Sequence, residues 1–242
     1  MDESLPFQLD VSDPLSAWRA ESFWTKEVET IQWVKFFANF QEESLNTLID
    51  VGANIGVYSL YWLSLRKSLT AISCEPFPEN LRLLKLNLQL NEYENRAIVI
   101  GEPLYAYPSE GQLHTPDNRP GSSGSQFGSI HKLSSSEIAR VKSTTLDEII
   151  LDYTAGYVLK VDVDGLDYEI LKGGTHSLKS GIIKSVLVEA SEQVQIEIRN
   201  FLNVFDFVED DRFNKLDGHS DARRKSQNQI ERNRVYSLTS TF

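Results

Sequence analysis

From Lys26 to Phe40 the apolar residues Val28, Ile31, Val34 and Phe37 recur at helical spacing, which predicts an amphipathic helix. "TLIDVG" then predicts a short apolar strand, and "IGVYSLYWLSLR" a helix starting at its glycine. "LTAISCEP" reads as a second strand, stopped by Pro76. The next stretch, "PENLRLLKLNLQLN", is ambiguous, because Leu84, Leu86, Leu88 and Leu90 alternate as in a strand. It has no β-branched residue, its leucine, lysine, arginine and glutamine favour helix, and two parallel strands need a helix between them. A helix is therefore predicted. "RAIVI", "YVLKVDV" and "KSVLVEA" follow as strands, with "STTLDEII" a helix capped at Ser143 or Thr144 and "LDYEILKGG" a helix ending at glycines. "EQVQIEIRNFLNV" predicts a last helix, and "FDFVED" and "RVYSLTS" closing strands around a polar loop.

Strand and helix alternate through most of the chain. The pattern predicts an α/β fold: a mostly parallel central sheet, an antiparallel C-terminal strand, and helices on both faces. Two segments break the rhythm. Residues 1–24, with two prolines, Trp18 and Trp24, read as an N-terminal arm packed on a single domain spanning 25–242. Residues 101–135 read as an insertion, with "YAYPSEGQLH" as a hairpin and "NRPGSSGSQFGS" as a Gly/Ser-rich loop of the length used for lids.

Composition narrows the function classes. The 242 residues carry a formal net charge of -11, which argues against a non-specific nucleic-acid binder. Seven basic residues near the C-terminus, Arg212, Lys215, Arg223, Arg224, Lys225, Arg232 and Arg234, read as a solvated loop or an anionic-substrate patch. One cysteine, Cys74, excludes an internal disulfide framework and a thiolate metal cluster. The N-terminus "MDESLPFQLD" lacks a signal pattern, and no apolar run approaches the roughly 20 residues that span a bilayer. A cytoplasmic protein without membrane insertion is expected.

In an open α/β sheet, ligands bind outside the carboxyl ends of the strands. Asp50, Glu75, Asp162 and Glu189 all fall at or near such ends. In Asp50-Val-Gly52-Ala-Asn-Ile-Gly56 the glycines let backbone approach backbone and ligand. A pyrophosphate at this turn would be repelled by Asp50, and the spacing is not G-x-G-x-x-G. An acid there suits a ligand bearing positive charge, such as S-adenosylmethionine with its ammonium and sulfonium. Glu75, closing the second strand, is placed to accept hydrogen bonds from two ribose hydroxyls. The blander reading of the same residues is a tight turn and a surface acid. In Lys160-Val-Asp162-Val-Asp164-Gly165 the three charged residues share one face of a strand. Lys160 either neutralises an acid or serves the site, and Asp164-Gly165 is either a turn or part of it.

With these motifs in view, the chain resembles the FkbM-type S-adenosylmethionine-dependent methyltransferases, from about Glu27 onward. The matching stretches are "IDVGANIG", "CEPFPENLRLLKLNLQLN", "TLDEI", "LKVDVDGLDYEILKGG" and "LVEAS". The resemblance implies a Rossmann-like class I methyltransferase fold and O-methylation of a hydroxyl on a sugar, glycan or other small metabolite. It also implies that the cofactor is held by the turn from Asp50 through Gly52, Ala53 and Asn54 to Gly56, and by Glu75, Pro76 and Phe77. Glu27 resembles an acidic position upstream of the turn in relatives. Asp162 and Asp164 are the implied catalytic positions, although the family more often has glutamate at the second, and one methylene less shortens its reach.

Methyl transfer is an in-line displacement in which the protein aligns the reactants and accepts the hydroxyl proton. Asp162 is the expected base, with His114 and His131 as rivals if the Ser/Gly loop folds over the site. A metal-free reaction is expected, the alternative being magnesium on Asp162, Asp164 and Glu189. Two other classes stay open at this point: a cofactor-binding module without activity, and an NAD(P)-dependent oxidoreductase.

Overall fold

The computed structural model describes residues 4–40, 42, 44–124, 126–128, 136–152, 154–216 and 231–241. Its strands are β1 (Leu45–Val51), β2 (Thr70–Cys74), β3 (Ala97–Ile100), β4 (Glu110–Thr115), β5 (Gln126–Gly128), β6 (Ser136–Lys142), β7 (Gly156–Val161), β8 (Ile183–Ser191), β9 (Phe207–Glu209) and β10 (Glu231–Leu238). Seven of them form one sheet in the order β3-β2-β1-β7-β8-β10-β9. The pairs from β3 to β8 are parallel, whereas β10 runs antiparallel to both β8 and β9. The chain order reverses between β1 and β7, which opens a crevice at their carboxyl ends.

Helices α1 (Pro14–Lys26), α2 (Val28–Ala38), α3 (Val57–Leu65) and α4 (Pro78–Leu90) precede the insertion, and α5 (Leu146–Ile149), α6 (Asp167–Lys172), α7 (Thr175–Ser180), α8 (Glu192–Asn203) and α9 (Asp211–Asn214) follow it. The central strands are apolar on both faces, as helices on both sides require. Leu48, Val158 and Leu187 face one buried cluster with Trp33, Phe37 and Trp62. Their neighbours Ile49, Leu159 and Val186 face the other, with Leu171, Ile198 and Leu202. The leucine-rich stretch is helical: α4 buries Leu83, Leu84 and Leu88 at spacings of one and four, and leaves Leu90 exposed. Here the face that packs follows helical periodicity, and the i, i+2 alternation is incidental.

Three segments differ from the expectation. The N-terminal arm contains α1, which the Asp13 side chain caps on Leu15 N–H and Pro14 opens. Its weak periodicity has a physical cause, since the helix fully buries just Ser16 and Phe23. The helix foreseen from Lys26 begins at Val28, because Glu27 leaves the helical region at φ -138° and ψ 71°. Ahead of α1, Asp10 N–H and Gln8 N–H donate to Asn87 and Asn91, fastening the chain start to α4.

The third is the insertion. β4 pairs antiparallel with β5 and with β6, giving a separate three-stranded sheet in place of a local hairpin. β5 lies inside the stretch expected to be loop, where Phe127 packs its ring against Gly111.

Candidate active site

The sheet's carboxyl edge opens into a cavity of about 240 Å³. Gly52, Asn54, Glu75 and Pro76 line it from the β1 and β2 ends, and Asp162, Asp164 and Glu189 from the β7 and β8 ends. Helix α1 adds Trp18, Arg19 and Lys26, and the segment before β5 adds Ser122 to Gly124.

Gly52 sits where β1 and β7 touch. Its φ is +80°, and a Cβ there would lie 1.9 Å from the Asp162 carbonyl oxygen, so glycine is required for both conformation and space. Its N–H and that of Ala53 both donate to the Cys74 carbonyl at 3.0 Å, which pins the turn to β2. Gly56, at φ +92°, starts α3. Glu75 is held between two backbone donors, Asn54 N–H and Phe77 N–H, each at 2.8 Å. Burial pushes its carboxyl up to about 7 against the pull of those two N–H groups and Arg19. A carboxylate oriented this way on the cavity wall retains acceptor capacity for a diol.

Asp162 is fixed from below. Lys160, fully buried, donates to Asp162 Oδ2 at 2.8 Å and lies 5.1 Å from the centre of the Tyr58 ring. Burial pushes the Asp162 carboxyl up, but Lys160 and a hydrogen bond with Glu189 outweigh it and hold the group well below the usual carboxylate range. For Lys160, burial is likewise outweighed, by Asp162, Asp50 and Glu27, and the ammonium stays charged. Asp164, at φ +53°, lines the cavity and accepts Gly124 N–H at 2.7 Å. Burial, then Asp162, raises its carboxyl. Asp167, behind the turn, accepts from Val163 and Gly165 N–H, and burial with Asp162 pushes it up to about 7.

The predicted site residues divide into two groups. Gly52, Asn54, Glu75, Pro76, Asp162 and Asp164 share the cavity wall. Asp50 does not line it: its side chain is fully buried and accepts Ser59 O–H at 2.7 Å, and its carboxyl is raised by burial against the pull of Lys160. Asp50 thus works beneath the site, as a counter-charge for Lys160. Glu27 is also buried off the wall, ion-paired with Lys26 and accepting Tyr58 O–H at 2.7 Å. Ala53, Gly56 and Phe77 shape the turn and the Glu75 cradle rather than the cavity surface.

His114 is buried on β4 and does not line the cavity, while its neighbour Leu113 does, since adjacent strand residues face opposite ways. His131, Arg223, Arg224 and Lys225 lie outside the described residues. Lys215 pairs with Asp211 at the exposed end of α9, whereas Arg212 pairs with the buried Asp210 and lies over the Phe36 ring, so this part of the basic cluster is helix and not loop. Sequence reading placed Glu189 at a strand end and gave it a role just in the magnesium alternative; the structure brings it against Asp162. It had no signal for Arg19 or Asn80, which reach the cavity from helix faces. Among the described residues no group of three His, Cys, Asp or Glu is placed to hold a metal ion, and no helix is long and apolar enough to cross a membrane.

The Glu75 environment carries a testable consequence. A group raised to about 7 when folded, from an unfolded value of about 4.3, costs stability as pH rises through that window. A diol ligand that prefers the ionised form should bind more tightly as pH rises from 6 to 8, by at most about tenfold per unit below 7. Calorimetric titration across that range should show the trend in the wild type. In Glu75→Gln it should vanish, with affinity about 10- to 100-fold weaker.

The comparisons with known proteins bear on the family and the fold. The family model described as the methyltransferase FkbM domain matches residues 50–214. No curated protein sequence matches the chain. Among solved structures, a putative rRNA methylase from Clostridium thermocellum is similar at a TM-score of 0.51 and 8% identity, covering 87% of this chain and 93% of that one. The M. capricolum TrmK, in complex with S-adenosyl-homocysteine, has a TM-score of 0.50 at 9% identity, over 87% and 67%. A human methyltransferase 10 domain containing protein has a TM-score of 0.50 at 13% identity, over 98% and 90%. At such identities the likeness speaks for the fold.

Proposed function

This chain belongs to the methyltransferase FkbM domain family, and from that premise we propose that it methylates a hydroxyl oxygen on a small acceptor such as a sugar or glycan. The cofactor is S-adenosylmethionine. The residues fit that group: the acid-lined wall suits its two positive charges, and Glu75 stands at the end of β2 with capacity for the ribose hydroxyls. When bound, the cofactor supplies an electrophilic methyl carbon on a sulfonium.

One observation supports hydroxyl chemistry above the rest. Asp162, on the same cavity wall as Glu75, is kept ionised by a buried lysine. An ionised carboxylate accepts a hydrogen bond from an acceptor O–H and so orients the oxygen's lone pair. As the oxygen gains its new carbon, its remaining proton becomes strongly acidic, and even a weak base can take it. The proton passes to Asp162, which the buried Lys160 holds in place. The net charge of -11 and the segment folded across the cavity favour a small acceptor over a nucleic acid.

Incubation with methyl-labelled S-adenosylmethionine and separate panels of polyols, glycosides and RNA tests the reading. Label recovered as a methyl ether on a sugar or other small hydroxyl compound is expected. Label in RNA, or cofactor binding with no transfer to any panel, would overturn it.

A further inference from the structure

Resting on the reading that the cavity holds S-adenosylmethionine, we propose that Arg19 of α1 is the anchor for the α-carboxylate at the cofactor's methionine end. The ligand carries two cations and one anion. The acids on the wall answer the cations. The anion needs donors, and a survey of the donors around the cavity leaves few.

The glycine turn has little to offer. Gly52 and Ala53 N–H go to the Cys74 carbonyl, Asn54 N–H to Glu75, Ile55 N–H to the Asn54 side chain, and Gly56 N–H to the Ala53 carbonyl. On the segment opposite, Ser123 offers neutral donors and no charge, and its neighbours are engaged. Gly121 N–H donates to Asn80, Gly124 N–H to Asp164, and the side-chain amides of Asn54 and Asn80 both donate to the Ser122 carbonyl. Of the two cavity-lining cations contributed by α1, Lys26 is ion-paired with Glu27.

Arg19 differs. Its Nε donates to the Gly121 carbonyl at 2.8 Å, and among the described residues no other hydrogen bond and no ion pair holds the guanidinium. The remaining amino groups form the planar fork that suits a carboxylate. Gly121 is joined to Ser122, whose carbonyl takes Asn54, so Arg19 stands beside the turn. Its charge acts on both Glu75 and Asp164, between the ribose end and the transfer end of the cavity. Leaving a half-buried guanidinium without an anion is unfavourable. A bound carboxylate would remove that cost.

Two ligands separate this role from a structural one. S-adenosylhomocysteine has the amino-acid end, and 5′-methylthioadenosine lacks it while keeping the adenosine and the thioether. Calorimetric titration of Arg19→Gln should show S-adenosylhomocysteine affinity falling about 10- to 100-fold. The affinity for 5′-methylthioadenosine should change less than about twofold, which also shows that the cavity is intact. Arg19→Lys, keeping the charge without the fork, should fall between the wild type and Arg19→Gln. Equal losses for both ligands would assign Arg19 to holding the Gly121 segment and overturn the proposal, as would unchanged S-adenosylhomocysteine affinity or a Lys variant no better than Gln. A wild type that binds neither ligand would instead overturn the cofactor reading itself, and the proposal with it.

Discussion

Asp162→Asn is expected to lower methyl transfer by about 100-fold or more, the usual scale for removing a positioned proton acceptor. The amide oxygen can still accept from Lys160, so the geometry at the end of β7 should hold. What disappears is the negative charge facing the acceptor hydroxyl and the site that takes its proton. Lys160 keeps Asp50 and Glu27 within its field, so the buried ammonium is not left without anions. A thermal melt should therefore show a modest loss, and titration with S-adenosylhomocysteine an affinity near that of the wild type. Because Asp162 is ionised far below neutrality, turnover at saturating cofactor should lack an acid limb from this group between pH 5 and 8. Activity within a few fold of the wild type would show that the proton goes elsewhere, with Glu189 the first residue to substitute next.

Gly52→Ala should be the most damaging glycine-to-alanine change among the described residues. Two penalties coincide there: a positive φ that alanine resists, and a Cβ 1.9 Å from the Asp162 carbonyl oxygen, which belongs to backbone and cannot swing aside. Strain and overpacking together should cost about 2–5 kcal/mol, or roughly 5–15 °C in melting temperature for a chain of this size. Forcing β1 and β7 apart would also move Asp162 relative to Glu75, so the surviving folded protein should bind cofactor poorly. Gly165→Ala is the matched control. Its φ is +106° but nothing lies within 4 Å of the added carbon, so it carries the strain without the clash. Scanning calorimetry should rank Gly52→Ala clearly below Gly165→Ala; equal melting temperatures would mean that the close approach of the two strands contributes nothing.

Much of this was legible before any coordinates, and the reasons are local. Asp50, Glu75 and Asp162 end apolar strands, and a carboxylate in that position marks the carboxyl edge of a parallel sheet. Period and propensity identified α4 despite its misleading leucine alternation. The sequence could not say which acids turn into the cavity. Asp50 and Asp162 are both strand-end carboxylates, yet one lies under Ser59 and Lys160 while the other meets the cavity, a distinction set by register between β1 and β7. Lys160 was readable as a neutraliser, since a lone cation in an apolar central strand needs acids beside it, and it has them. Residues from α1 and the Ser122 segment were not legible. Arg19 and Asn80 reach the site through contacts 102 and 41 residues away in sequence, for which no local pattern exists.

The central claim is a division of labour along one cavity: Glu75 holds the cofactor and Asp162 acts on the acceptor. Calorimetric titration of S-adenosylhomocysteine into the wild type, Glu75→Ala and Asp162→Asn at pH 8 tests it most directly. The account predicts affinities for wild type and Asp162→Asn within about threefold of one another, and for Glu75→Ala a loss of at least about tenfold. Comparable losses in both variants, or a Glu75→Ala that binds as tightly as the wild type, would contradict it.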